Sequence, residues 1–266
     1  MSELFQQAVA HTLPLLQSIE GGVKSTPKAS LAALKKLQSA AKALPAAAPA
    51  PLMISEEKNA TAWTWDTLEK AILSCQKCPN LVSSRTQVVF GVGNRKAELM
   101  FIGEAPGADE DKLGEPFVGR AGQLLTKIIE AMGFTRDDIF IANVLKCRPD
   151  MPAGESGNRK PRMDEMTTCL PWLREQIQLV KPRVMVALGA TAAEGLLGET
   201  RPMRELRGQW LDFHSTPVMV TYHPAYLLRN QTITEKRKVW EDMLLVLEKM
   251  GRPISEKQRK FFTSAA

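Results

Sequence analysis

From about residue 60 onward, short apolar runs alternate with longer helical stretches. Residues 99–102, 139–142, 184–188 and 218–222 are apolar and partly β-branched, which predicts strands. Residues 120–132, 162–180, 190–197 and 235–250 read as helices. Upstream, residues 67–73 predict a helix that leads into a turn containing Pro79. The βαβα rhythm predicts an α/β fold, a three-layer α/β/α arrangement with a central four-stranded, mainly parallel sheet.

Ligands bind such folds at the carboxyl ends of the strands. Each predicted strand runs into a polar or glycine-rich motif there. The first ends in Gly103-Glu-Ala-Pro-Gly107 and the second in Asn143-Val-Leu-Lys-Cys147. The third is followed by Gly189-Ala-Thr191, the fourth by His223-Pro-Ala-Tyr226. Core elements need no such endings, so four along one sheet edge predict a single active site.

The first fifty residues differ in texture. Leu31, Leu34 and Leu37 follow a Ser30 cap at helical spacing, and residues 44–51 form a proline–alanine linker that packs poorly. The expected organisation is an N-terminal extension and linker over 1–51, one main domain over 60–250, and a basic tail over 251–266. No partner for the extension can be read from it. The 266 residues suffice to bury one sizeable core. A net charge of +6 and a pI of about 9.2 are compatible with nucleic acid without specifying it. No window approaches a membrane span and no secretory leader pattern opens the chain, so a cytoplasmic protein without membrane association is expected.

The four cysteines add candidate chemistry. Cys75 and Cys78 are separated by two residues, Cys78 and Cys147 by 68, and Cys147 and Cys169 by 21. A close pair with two distant singles suits a centre that ties remote segments together. Thiolates are soft ligands, so the set points to zinc or to an iron–sulfur centre and leaves those two open. Disulfides are the rival reading, disfavoured for a cytosolic chain.

Gly103-Glu-Ala-Pro-Gly-Ala-Asp-Glu110, with Pro116-Phe-Val-Gly-Arg-Ala-Gly122, resembles the first motif of the iron–sulfur (type-four) uracil-DNA glycosylases. Asn143-Val-Leu-Lys-Cys-Arg-Pro149, Asn158-Arg-Lys-Pro161 and His223-Pro-Ala-Tyr-Leu-Leu-Arg229 resemble its later motifs, in the same order. Cys-Gln-Lys-Cys-Pro79 and Arg85-Thr-Gln-Val-Val-Phe-Gly91 are similar too, and the resemblance covers roughly residues 65–250. It implies a uracil-DNA glycosylase-like fold and a [4Fe–4S] cluster on Cys75, Cys78, Cys147 and Cys169. It also implies release of uracil from uracil-containing DNA, leaving an abasic site; a monomer is expected. Two features depart from the pattern: a longer link between Cys147 and Asn158, and the N-terminal fifty residues.

The chemistry assigns roles beside that resemblance. Breaking an N-glycosidic bond builds positive charge on the sugar and negative charge on the base, so the enzyme must extrude, recognise and stabilise. Asn143 offers an amide that matches the O4 and N3–H edge of uracil; a strand-end cap is its bland reading. Phe117 can stack on a flipped base or anchor its loop to the core. His223, as a neutral donor toward O2, takes the role the resemblance implies, against a plain turn residue. Better-known uracil glycosylases place an aspartate where this chain has Ala105, so Glu104 becomes the candidate carboxylate, with Asn158 helping to place water. Glu110 is expected to line the pocket where a thymine methyl would collide, or to sit on a solvated acidic loop. Leu227 and Leu228 read as a wedge into the base stack or as the start of a helix, and Arg120 and Arg229 as phosphate contacts. Two alternatives remain: a superfamily member acting on other deaminated bases, and a non-catalytic iron–sulfur protein that binds nucleic acid.

Overall fold

The computed structural model describes residues 63–151, 154–155 and 157–263. The extension helix expected at 30–37 and the 44–51 linker lie outside the described residues. Six strands form one sheet: β1 (Val92–Gly93), β2 (Leu99–Gly103), β3 (Phe140–Asn143), β4 (Val184–Leu188), β5 (Trp210–Phe213) and β6 (Thr216–Thr221). Their order is β1-β3-β2-β4-β6-β5. The inner four are mutually parallel and are the four predicted; β1 and β5 add antiparallel edges.

The inner strands are mostly apolar because both faces are covered. Met100 and Ile102 of β2 face one core, shared with Leu68 and Ile72 of α1 (Trp65–Leu73) and Leu173 and Ile177 of α5 (Met163–Val180). Leu99 and Phe101 face the other, with Leu125 and Ile129 of α4 (Arg120–Met132) and Met243 and Leu247 of α9 (Ile233–Lys249). Alternate side chains of one strand thus enter opposite cores, the period-two signature of a sandwiched sheet. The remaining helices are short: α2 (Pro79–Ser84), α3 (Ala108–Leu113), α6 (Ala190–Leu197), α7 (Met203–Leu206), α8 (Pro224–Arg229) and α10 (Glu256–Arg259).

Residues past 250 are docked onto the domain. The Trp240 indole donates to the Gln258 carbonyl at 2.6 Å, and Gln258 Nε2 donates to the Ala131 carbonyl at 2.9 Å. No helix among the described residues is long and apolar enough to cross a membrane.

Candidate active site and metal centre

The parallel register places Gly103 beside Asn143 and Leu188 beside Thr221, so the ends of the inner strands lie along one edge. A cavity of about 350 Å³ opens there, within the range of small-ligand sites. Glu104, Phe117, Asn143, Asn158, His223 and Arg229 all line it. Ala105 and Glu110 line it as well. Residues that the sequence scatters over more than a hundred positions therefore share one pocket.

Asn143 ends β3 with its side chain buried, and its Oδ1 has no hydrogen-bond partner. No helix begins at Asn143, so its amide caps none. Leaving a buried acceptor unpaired costs about 1–3 kcal/mol, a debt that a donor from a ligand can relieve. Below it, a Cβ on Gly103 would come within 2.4 Å of that Oδ1 and 2.5 Å of the Phe117 ring. Only glycine leaves room for both side chains.

His223 is both a turn residue and a pocket residue. As N-cap of α8 its Nδ1 accepts the Ala225 N–H at 3.1 Å, which puts the ring proton on Nε2. Burial, reinforced by the nearby Arg229 cation, pushes its pKa down to about 4, so the imidazole is neutral at physiological pH. Glu104 follows β2; burial raises its carboxyl pKa, while a hydrogen bond from Thr191 and the nearby Lys160 ammonium pull the other way.

Phe117 adopts a left-handed backbone, φ 56°, which costs a non-glycine residue roughly 1–2 kcal/mol. Its ring is buried, 5.7 Å from the His223 ring. Glu110 proves to be a loop tie. One carboxylate oxygen accepts from Gly107 N at 3.1 Å, the other from Val118 N and Gly119 N at 3.0 Å each. Its carboxylate is therefore held by backbone amides and not free on a solvated acidic run, and it lines the pocket as expected.

The expected wedge divides. Leu227 belongs to the short helix α8 and is 4 % exposed, packed into the domain, so it is not presented to a base stack. Pro224 starts that helix directly after the His223 cap and is buried together with Leu227. Leu228 is half-buried and Arg229 exposed beside it. Arg120, at the start of α4, is exposed but does not line the pocket.

On the other side of the segment after β3, the four cysteines line a second cavity with Ile72, Leu81 and Trp172. Cys75 follows α1, Cys78 caps α2, Cys147 lies four residues beyond Asn143, and Cys169 sits within α5. All four are free thiols. Among the described residues no group of three or more His, Cys, Asp or Glu side chains is arranged to hold a metal ion, although all four thiols line this one cavity. Arg85 donates to Cys147 Sγ at 3.1 Å and to the Cys75 carbonyl at 2.9 Å, and Lys146 N donates to Cys169 Sγ at 3.3 Å. Burial pushes the Cys169 thiol up to about 12. Ionising thiols in such surroundings needs positive charge among them, of the kind a soft metal centre would supply.

With both cavities described, comparison with known proteins is decisive. Residues 90–244 match the sequence profile of the Uracil DNA glycosylase superfamily. The type-4 uracil-DNA glycosylase of Thermotoga maritima is 41% identical over 180 residues, 67% of this chain and 90% of that protein. The chain belongs to the type-4 uracil-DNA glycosylase family. Its relatives of the same name from Archaeoglobus fulgidus and Sulfurisphaera tokodaii are 39% and 43% identical, over 64% and 66% of this chain and 86% and 81% of their own.

Within this family member, several site-shaping residues carry no local sequence signal. Arg159 lines the pocket and pairs with Asp150 and with Glu165, which is 2 % exposed. Glu165 also accepts from Asn80 at 3.0 Å, joining the Asn158 loop to α2 behind Cys78. Lys146 is fully buried; its ammonium donates to the Asn143 carbonyl at 3.0 Å and to Gln176 Oε1 at 2.5 Å. A lysine within an otherwise apolar stretch was the one available hint.

Proposed function

We propose that this chain hydrolyses the N-glycosidic bond of deoxyuridine in DNA, releasing uracil and leaving an abasic site. The orphaned Asn143 Oδ1 carries the reading. It accepts the N3–H of uracil while its Nδ2 donates to O4, and cytosine presents the reversed pattern. Sites built around such a pair reject the wrong partner by about 10⁴–10⁵. The neutral His223, with its proton on Nε2, donates to O2 as negative charge builds on the departing base. Glu104 faces the positive charge of the sugar as a carboxylate, and Asn158 positions the attacking water. Phe117 stacks on the extruded base. Arg229 and Arg120 hold backbone phosphates, with Leu228 beside them.

Cys75, Cys78, Cys147 and Cys169 would hold a [4Fe–4S] cluster; four free thiols brought from three chain segments to the lining of one cavity support it. When bound, it supplies mechanical linkage among α1, α2, α5 and the segment after β3, and hydrolysis needs no redox step. The catalytic domain spans 60–250, in keeping with the superfamily match at 90–244. The deciding experiment is base release from oligonucleotides carrying uracil, thymine, hypoxanthine or xanthine. Release of uracil and retention of thymine is expected. Release confined to hypoxanthine or xanthine would move the activity to other deaminated bases, and no release at all would leave a binding protein.

A further inference from the structure

The left-handed backbone at Phe117 needs something to hold it, since strained residues persist only where their surroundings over-determine them. Arg136, in the turn between α4 and β3, reaches back nineteen positions to do so. Its Nη1 donates to the Phe117 carbonyl at 3.1 Å and its Nη2 to the Pro116 carbonyl at 2.8 Å. Nη1 also lies 3.4 Å from Thr126 Oγ1. The guanidinium fork thus spans two successive carbonyls, a geometry that an ammonium cannot reproduce. Beneath the same carbonyl, a Cβ on Gly122 would stand 1.9 Å from the Phe117 oxygen, so the first turn of α4 backs directly onto the strained residue. On the other side of Phe117, the Val118 and Gly119 amides are tied to Glu110. Arg136 does not line the pocket.

We propose that Arg136 is a positioning residue for the base-stacking ring: by clamping the Pro116 and Phe117 carbonyls it fixes the backbone that lays Phe117 over Gly103 and beside His223. Its kinetic arm rests on the uracil reading above; its structural arm does not. The test uses the full-length, cluster-containing protein with Arg136→Met, Arg136→Lys, Phe117→Leu and the Arg136→Met/Phe117→Leu double variant. Arg136→Met should lower kcat for uracil release about tenfold with KM within about twofold, and Arg136→Lys should recover part of the loss. In the Phe117→Leu background, Arg136→Met should change kcat by less than about twofold, because residues acting as one unit are not additive. Hydrogen exchange at the Val118 and Gly119 amides should accelerate about tenfold in Arg136→Met as the loop loosens.

An undiminished loss in the Phe117→Leu background, or a rise in KM that grows with salt, would make Arg136 a contact to DNA and overturn the proposal. Unchanged exchange at Val118 and Gly119 would overturn it as well. Should Arg136→Met fail to fold, Arg136→Lys carries both arms with smaller changes. If the wild type releases no uracil, the functional reading fails while the exchange measurement still decides the role of Arg136.

Discussion

The two cavities flank one short segment, Asn143 to Cys147, and are built on opposite principles. The pocket at the strand ends keeps polar groups poised and incompletely paired: an orphaned amide oxygen, a neutral imidazole and a carboxylate held against its preference to ionise in water. The cysteine cavity is walled by Ile72, Leu81, Val88, Leu145 and Trp172, and apart from the buried Trp172 Nε1–H, which finds no acceptor, its polar contacts are donors already aimed at sulfur or at backbone. Unsatisfied groups serve recognition, since a ligand must complete them. Satisfied groups serve cohesion. Lys146 belongs to both, its ammonium on the Asn143 carbonyl and its amide on Cys169.

That contrast is broken most directly at Asn143. In Asn143→Asp the ionised side chain cannot donate and repels the O4 carbonyl. Loss of one such contact is expected to slow uracil release about 10²–10³-fold with iron content unchanged. If protonated, the acid can donate to N3 of cytosine and accept from its exocyclic amine, so a weak gain of cytosine release as pH falls would sharpen the assignment. A folded variant that still removes uracil at the wild-type rate would reduce Asn143 to a strand end.

On the cohesive side, Cys78→Ala should act through stability. The purified wild type is expected to be brown and to hold about four irons per chain. The variant should lose iron, yield and thermal stability, because metal binding to a multi-segment site is folding free energy. The fraction that folds should retain its preference for uracil over thymine. Stoichiometric zinc without iron in anaerobically purified wild type would contradict the cluster, and changed base preference in Cys78→Ala would merge the two cavities functionally.

A smaller, graded effect should appear with pH. Burial raises the Glu104 pKa above its ordinary 4.5, while that of His223 is lowered to about 4. As pH falls, the Glu104 carboxylate therefore takes its proton while His223 is still neutral. Uracil release should decline through a single acid limb lying above pH 4.5, by tenfold per unit at its steepest, with no second limb from His223 until the pH nears 4. The stability signs are opposite. The depressed His223 makes the fold lose stability as pH drops from 6.5 toward 4, because the unfolded imidazole binds the proton first. The raised Glu104 makes it lose stability as pH climbs past 4.5 through its folded pKa. An acid limb that keeps its position in Glu104→Gln would assign the titration to another group and remove Glu104 from the role.

Legibility in the sequence followed the same division. The four inner strands stood out because burial on both faces makes them continuous apolar runs. Edge β1 spans two residues and β5 is mostly half-exposed, so neither leaves a run to find. The acidic residues 109–111 read as loop, yet they open the helix α3, whose N-terminal dipole favours them. Polar groups at strand ends were visible because nothing structural requires them there. Leu227 was not, since a six-residue helix is too short to show periodicity. Arg136, Lys146 and Glu165 stayed hidden because their partners lie 19, 30 and 85 positions away, a distance that only folding closes.

The smallest expected effect concerns residues 1–60. The shared 180 residues make up 90% of the Thermotoga maritima relative, so that protein has little beyond the region it shares with this chain. Proline and alanine dominate residues 44–51, a composition that marks a domain boundary. A chain beginning near residue 55 should fold, bind its iron and release uracil within about twofold of the full-length rate, the scatter typical of substitutions remote from a site. Trp63 would be retained in that chain, where its ring meets Trp172 edge-on at 5.9 Å behind the cysteine cavity. Starting instead at residue 65 removes that contact along with Thr64, which caps α1 through Thr67 N at 3.2 Å. Losing such a cap typically costs about 1 kcal/mol, so this second truncation should lower thermal stability and iron retention while leaving turnover per folded molecule unchanged. A large loss of turnover in the longer truncate, with folding and iron intact, would mean that the extension reaches the pocket.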